Sequence, residues 1–133
     1  MRVVFDTNVL VSALLNPGRT PDLALAAAFD RGVVALTEAR VEDEYREVLS
    51  RPKFRKVDPA RRDALLDALL SRSERVEAAP VTVTLIDDDD RVFIEVALAG
   101  RAEAIVTGNA KHYPTDLGFE VLSPADLLAR LRG

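Results

Sequence analysis

The chain has 133 residues, of which 48% are hydrophobic and 30% are charged, and its formal net charge is −4. There is no cysteine, which excludes disulfides and thiolate metal sites, and the single histidine, His112, excludes a multi-histidine zinc site. No apolar run reaches the ~18 residues of a membrane span, and no signal-peptide pattern is present. We therefore expect one domain over residues 1–133, cytoplasmic and without a membrane partner.

Asp6 lies where the first predicted strand gives way to a helix. Val3–Phe5 form a β-branched and aromatic run typical of a buried strand, and apolar residues recur at helical spacing from Val9 onward. In open α/β sheets, ligands bind at the carboxyl ends of the strands. Asp6 is therefore a candidate site residue, although an N-cap role explains it about equally well.

A second strand is predicted at Val33–Leu36, and Thr37 is predicted to cap a helix that runs to about Ser50. On this helix Glu42 and Glu44 flank the apolar seam on opposite sides. Periodicity does not choose between them, and the plainer alternative is that both are solvated.

The segment from Arg46 to Arg62 is basic, with seven Lys or Arg residues against two acidic ones and Phe54 among them. Such a segment could hold a phosphate backbone, although most basic runs are solvated surfaces. After Arg72 the pattern weakens. Val81–Leu85 then alternate in polarity, which predicts either an edge strand or an extended arm.

Four successive aspartates, Asp87–Asp90, precede a helix that is apolar almost all round. One or two acids there would serve as caps, but four repel each other unless a divalent cation relieves the repulsion. The strand Ala104–Val106 follows and is closed by Thr107, and a last strand is predicted at Phe119–Val121. Strands linked by helices indicate an α/β fold with a parallel sheet.

Three acidic positions thus converge on one plausible site: Asp6, a glutamate at 42 or 44, and the aspartates at 87–90. Nucleases use such clusters to hold two metal ions during phosphoryl transfer. The residues alone therefore favour a metal-dependent site of this kind.

Three segments, FDTNVLVSALL, EYREVLSRPKF and DDDDRVFIEVALAGRAEAIVTGNAKHYP, occur in this order. Together they resemble the PIN-domain ribonucleases, most closely the branch of toxin components of toxin–antitoxin systems. The resemblance implies a three-layer α/β/α sandwich with a mainly parallel sheet and hydrolysis of RNA with Mg²⁺ or Mn²⁺. It also implies a cognate antitoxin protein and a homodimer.

The resemblance assigns the catalytic and metal-binding carboxylates to Asp6, Glu44 and Asp90. It gives the weaker or supporting positions to Asp87, Asn8, Thr107 and Asn109. The family's usual pattern is Thr-x-Asp, so Asn109 is a departure that removes a charge; Asp88, Asp89 or Asp116 are the acids that could compensate. Apart from the resemblance, the basic residues give the candidate RNA contacts as Arg51, Lys53, Arg55, Lys111 and His112, although a histidine in such a position is more often only a loop residue.

Two alternatives remain at this point. A haloacid-dehalogenase-like phosphatase would also place an aspartate after a strand, as its nucleophile, but the lysines of the 53–56 run lack the strand context which that fold needs. A non-catalytic PIN fold that binds RNA or protein is supported by Asn109. Divalent-ion binding discriminates between this fold and a nuclease.

Overall fold

The computed structural model describes residues 1–133 and has a five-stranded sheet at its centre. Its strands are β1 (Arg2–Phe5), β2 (Val34–Thr37), β3 (Ser73–Arg75), β4 (Ala104–Val106) and β5 (Glu120–Leu122). The order across the sheet is β3-β2-β1-β4-β5, and every neighbouring pair is parallel. The predicted parallel sheet is confirmed.

Six helices flank the sheet and complete an α/β/α sandwich, as expected. They are α1 (Thr7–Leu15), α2 (Thr20–Asp30), α3 (Ala39–Leu49), α4 (Pro59–Ser71), α5 (Arg91–Ala99) and α6 (Pro124–Arg132). Short 3₁₀ turns occupy Pro52–Phe54, Asp88–Asp90 and Ala110–His112. Helix α5 packs on β1, β2 and β4, whereas α2 packs against α1 and α6. None of the helices combines the length and the apolar character needed to span a bilayer.

Strands β1 and β4 are apolar apart from Arg2 at the start of β1, because helices cover both of their faces. Val3, Val4, Ile105 and Val106 have no exposed surface. This burial explains why these strands appear in the sequence as continuous apolar runs, without alternation of apolar and polar residues.

The direction of the chain across the sheet reverses between β1 and β4. From β1 the chain adds β2 and then β3 on one side, and it later adds β4 and β5 on the other. Such a topological switch point opens a crevice at the carboxyl ends of the strands. Phe5 pairs with Val106, and the backbone N–H of Asp6 donates to the Val106 carbonyl at 2.9 Å. Asp6 and Thr107 therefore lie side by side at one sheet edge, as predicted.

The boundary between β2 and α3 differs from the prediction. Thr37 is the last residue of β2 and does not cap α3; Glu38 occupies the cap position without a side-chain hydrogen bond. The Thr37 hydroxyl instead donates to Glu42 Oε2 at 3.0 Å. The threonine lies one residue before the cap position, and its hydroxyl is engaged with the side chain of this first-turn glutamate.

The segment after Arg72 contains one strand that was not predicted, and the structure decides between the two alternatives for Val81–Leu85. Strand β3 was not predicted, because its three residues are polar and pair only with β2 at the edge of the sheet. Val81–Leu85 belong to no strand. They form the extended arm that was the other alternative, and Arg91 holds it by donating to the carbonyls of Val81 and Val83 at 2.8 and 2.7 Å.

Candidate metal centre

Asp6 is held from three sides at the switch point. It is only 6% exposed, and its Oδ1 accepts the backbone N–H of Asn8 at 3.3 Å, which caps α1. Its Oδ2 accepts the hydroxyls of Thr107 and Tyr113, both at 2.9 Å. Asp6 is thus both a helix cap and a carboxylate fixed at the crevice, so the two interpretations of the sequence are compatible.

Asn8 ties the start of α1 to the loop after β4. Its amide donates to Thr107 Oγ1 at 3.3 Å, and its Oδ1 accepts the N–H of Gly108 at 3.0 Å. The N–H of Asn109 also donates to Thr107 Oγ1, at 3.0 Å. Asn8 and Thr107 therefore fix the relative position of the two strand ends, which is what a supporting role requires.

The structure separates the two glutamates of α3. Glu42 accepts from Arg75 at 2.8 and 2.9 Å, and this pairing is the main reason that its pKa is lowered. Glu44 instead accepts the hydroxyl of Thr7 and lines a cleft next to Asp6. Burial is the main cause that raises the pKa of Glu44, and the negative charges of Asp6 and Asp89 raise it further. Glu42 is therefore structural, whereas Glu44 belongs to the acid cluster.

Asp90 is the acid of the four-aspartate run that turns inward. It is 8% exposed, and its Oδ2 is buried without a hydrogen-bond partner. Burial raises the pKa of Asp90 to about 6, with the charges of Asp6 and Asp87 adding to the effect. A buried carboxylate oxygen without a partner is rare in folded proteins and requires an explanation, of which a bound cation is one.

One cleft of about 300 Å³ collects these acids. Of the predicted site residues, those lining it are Asp6, Asn8, Glu44, Arg51, Lys53, Asp87, Asp90, Asn109 and His112. Thr107 lies beneath the cleft and contacts Asp6, while Arg55 and Lys111 do not line the cleft.

Of the acids considered as replacements for the absent fourth carboxylate, Asp89 lines the cleft. Asp88 is exposed and pairs with Arg91 at 2.6 Å, and Asp116 lies elsewhere.

The donor set suits a divalent cation. Carboxylate and amide oxygens are the ligands that Mg²⁺ and Mn²⁺ prefer. Ligand atoms of Asp87, Asp90 and His112 lie within 4.8 Å of one another, and the Asp90 oxygen has no other partner. The residues present therefore fit a metal ion.

Tyr113 is a residue of this site that the sequence analysis did not single out. It is 4% exposed, and its hydroxyl donates to Asp6 Oδ2 at 2.9 Å. Burial and the nearby charges of Asp6 and Asp90 raise its pKa, so the phenol stays protonated and remains a donor. The only signal in the sequence is its place directly after His112, which gives no indication that the ring turns inward.

Comparisons with known proteins concern the family and the fold of this chain. The chain is 33% identical over 111 residues to an uncharacterized protein of Methanocaldococcus jannaschii. The aligned region covers 82% of this chain and 71% of that protein. The fold of the present chain is similar to that of a chain in the crystal structure of VapBC2 from Rickettsia felis bound to a DNA fragment from their promoter. The TM-score is 0.62 at 17% identity, with 92% of this chain and 98% of that chain covered. The PIN domain profile matches residues 2–111. The chain therefore belongs to the PIN domain family.

Proposed function

We propose that this protein is an endoribonuclease that hydrolyses RNA phosphodiester bonds with Mg²⁺ or Mn²⁺. The observation that carries the proposal is the gathering of Asp6, Glu44 and Asp90 in one cleft at the switch point. Burial is the main cause that raises the pKa of Glu44 and of Asp90, and the negative charge of Asp6 adds to each; a nearby cation would favour the ionised forms of both carboxyls. Clusters of acids with perturbed pKa values are typical of functional sites.

Asp6, Glu44 and Asp90, with Asp87 and Asn109 as weaker ligands, would hold the divalent cations; such cations would supply activation of water and would offset the charge developing on the phosphate. The protein's own contribution is orientation. Asp6 cannot turn away, because Thr107 and Tyr113 both donate to the same oxygen. Preorganised ligands of this kind need no rearrangement when the substrate arrives.

Basic residues at the rim of this cleft would hold the RNA backbone. Arg51 and Lys53 line the cleft beside the acids, and Lys53 also lies over the Phe54 ring, 5.4 Å from its centroid. Arg55 and Lys111 would contact RNA only outside the cleft. Cations at the edge of an acidic site compensate for the repulsion between carboxylates and phosphates.

We further propose that the protein is the toxin of a type II toxin–antitoxin pair. The sequence resemblance to that branch supports this role, and so does the shared fold with a chain of VapBC2. A cognate antitoxin protein, a homodimer and a cytoplasmic location belong to the same proposal. Co-purification with the product of an adjacent small gene would test the antitoxin, and light scattering would test the dimer.

The decisive experiment is cleavage of a mixed RNA pool with Mg²⁺, with Mn²⁺ and with EDTA. Asp6→Asn and Asp90→Asn should each abolish cleavage while keeping the fold, because each removes one charged ligand. Asp88→Asn is the matched control, since it makes the same change in an exposed acid outside the cleft. Activity in EDTA, or in Asp6→Asn, would refute the proposal.

A non-catalytic PIN module is the second candidate, and Asn109 favours it because the amide carries no charge. This module would bind RNA or protein without cleavage and without dependence on a metal ion. Membership of the PIN family gives no support to the phosphatase alternative.

A further inference from the structure

A nitrogen donor faces the unsatisfied oxygen of the acid cluster. Nδ1 of His112 lies 3.7 Å from Asp90 Oδ2, which is too far for a hydrogen bond. Two atoms that each lie about 2.1 Å from one cation are separated by at most about 4.2 Å. The observed distance is therefore compatible with one cation bound to both atoms.

The Asp90 side chain supplies an independent reason for a ligand here. The residue is more than nine-tenths buried, and Oδ2, the atom nearest the imidazole, has no hydrogen-bond partner. An unpaired buried carboxylate oxygen costs free energy. A cation between the two side chains would satisfy this oxygen.

The backbone of His112 is fixed beside the cleft. His112 ends the 3₁₀ turn Ala110–His112, and its N–H donates to the Asn109 carbonyl at 2.9 Å. The next residue, Tyr113, is anchored on Asp6. Asn109 and His112 therefore reach the same cleft from one short turn, and the histidine stands close to the position where a fourth carboxylate is missing.

We propose that His112 is a metal ligand that binds a divalent cation through Nδ1, together with Asp90 and Asp87. This inference rests on the proposed function and extends it. Imidazole nitrogen binds Mn²⁺ and especially Co²⁺ more readily than it binds Mg²⁺. The ligand set therefore gives this protein a preference for the transition metals that an all-oxygen site would lack.

The test is calorimetric titration of the full chain with Mg²⁺, Mn²⁺ and Co²⁺ at one pH. His112→Gln should lower the affinity for Co²⁺ and Mn²⁺ about tenfold or more, while Mg²⁺ affinity changes little. Lys111→Gln is the matched control for metal affinity alone, because it removes a neighbouring cation outside the cleft. In Mn²⁺-loaded wild type, pulsed electron paramagnetic resonance should detect a coordinated nitrogen that is absent from His112→Gln.

The other outcomes are distinguishable. An equal gain in affinity for all three cations in His112→Gln would show that the imidazole only pairs with Asp90. Unchanged metal affinity with weakened RNA binding would make His112 a phosphate contact. Either result overturns the proposed ligand and leaves the nuclease proposal intact. If wild type binds no cation at all, both proposals fail.

Discussion

Asp90→Asn should stabilise the metal-free protein at neutral and alkaline pH. The wild-type carboxylate is buried beside Asp6 and Asp87, and its Oδ2 has no hydrogen-bond partner. Asparagine keeps the shape of the side chain and removes the charge. A loss of function and a gain of stability are therefore expected from the same substitution, which is typical of a residue placed for chemistry.

The size of this stabilisation follows from the raised pKa of Asp90. Folding moves the pKa of Asp90 from 3.8 to about 6, and at about 1.4 kcal/mol per pKa unit the ionised form costs the folded state about 3 kcal/mol. Between these two values the folded protein binds more protons than the unfolded chain. The stabilising contribution of the protonated form is therefore complete below about pH 4 and is lost as the pH rises through about 6.

Urea unfolding in EDTA, followed by circular dichroism, measures this effect. At pH 8 Asp90→Asn should exceed wild type by up to about 3 kcal/mol, and at pH 5 by about half as much. Asp88→Asn should differ from wild type by about 1 kcal/mol or less at both pH values, because its ion pair is exposed. Saturating Mn²⁺ should stabilise wild type and should not stabilise Asp90→Asn. The reasoning would be refuted if the free energy of unfolding of Asp90→Asn did not exceed that of wild type, or exceeded it equally at pH 5 and pH 8.

Three further predictions concern the rest of the cleft. Asn109→Asp should lower the Mg²⁺ concentration for half-maximal RNA cleavage; no change would mean that Asp89 already supplies the charge. Tyr113→Phe should keep the fold and weaken Mn²⁺ binding about tenfold in calorimetry, because Asp6 loses a donor; unchanged affinity would make the tyrosine a packing residue only. Charge reversal in the basic segment should weaken RNA binding and flatten its dependence on salt, and an unchanged slope in filter binding would move RNA to another surface. The reversed residues are Arg51, Lys53 and Arg55.

Local sequence patterns were sufficient for most of the architecture. The continuous apolar runs of β1 and β4 are visible because burial on both faces removes all alternation. Asp6 could be placed at a strand end, since strand and helix periodicities change directly around it. The family resemblance also pointed to Glu44 and to Asp90, although the residues alone left each of them among alternatives.

Only the tertiary structure decided which polar side chains face the cleft. Strand β3 carries no apolar pattern and exists through pairing with β2, and it delivers the Arg75 that neutralises Glu42. The 3₁₀ turn of the aspartate run leaves Asp88 in solvent and buries Asp90. Tyr113 reaches Asp6 from 107 residues away in the chain. Periodicity reports which face of an element is buried, whereas these contacts join distant segments and depend on how the elements pack.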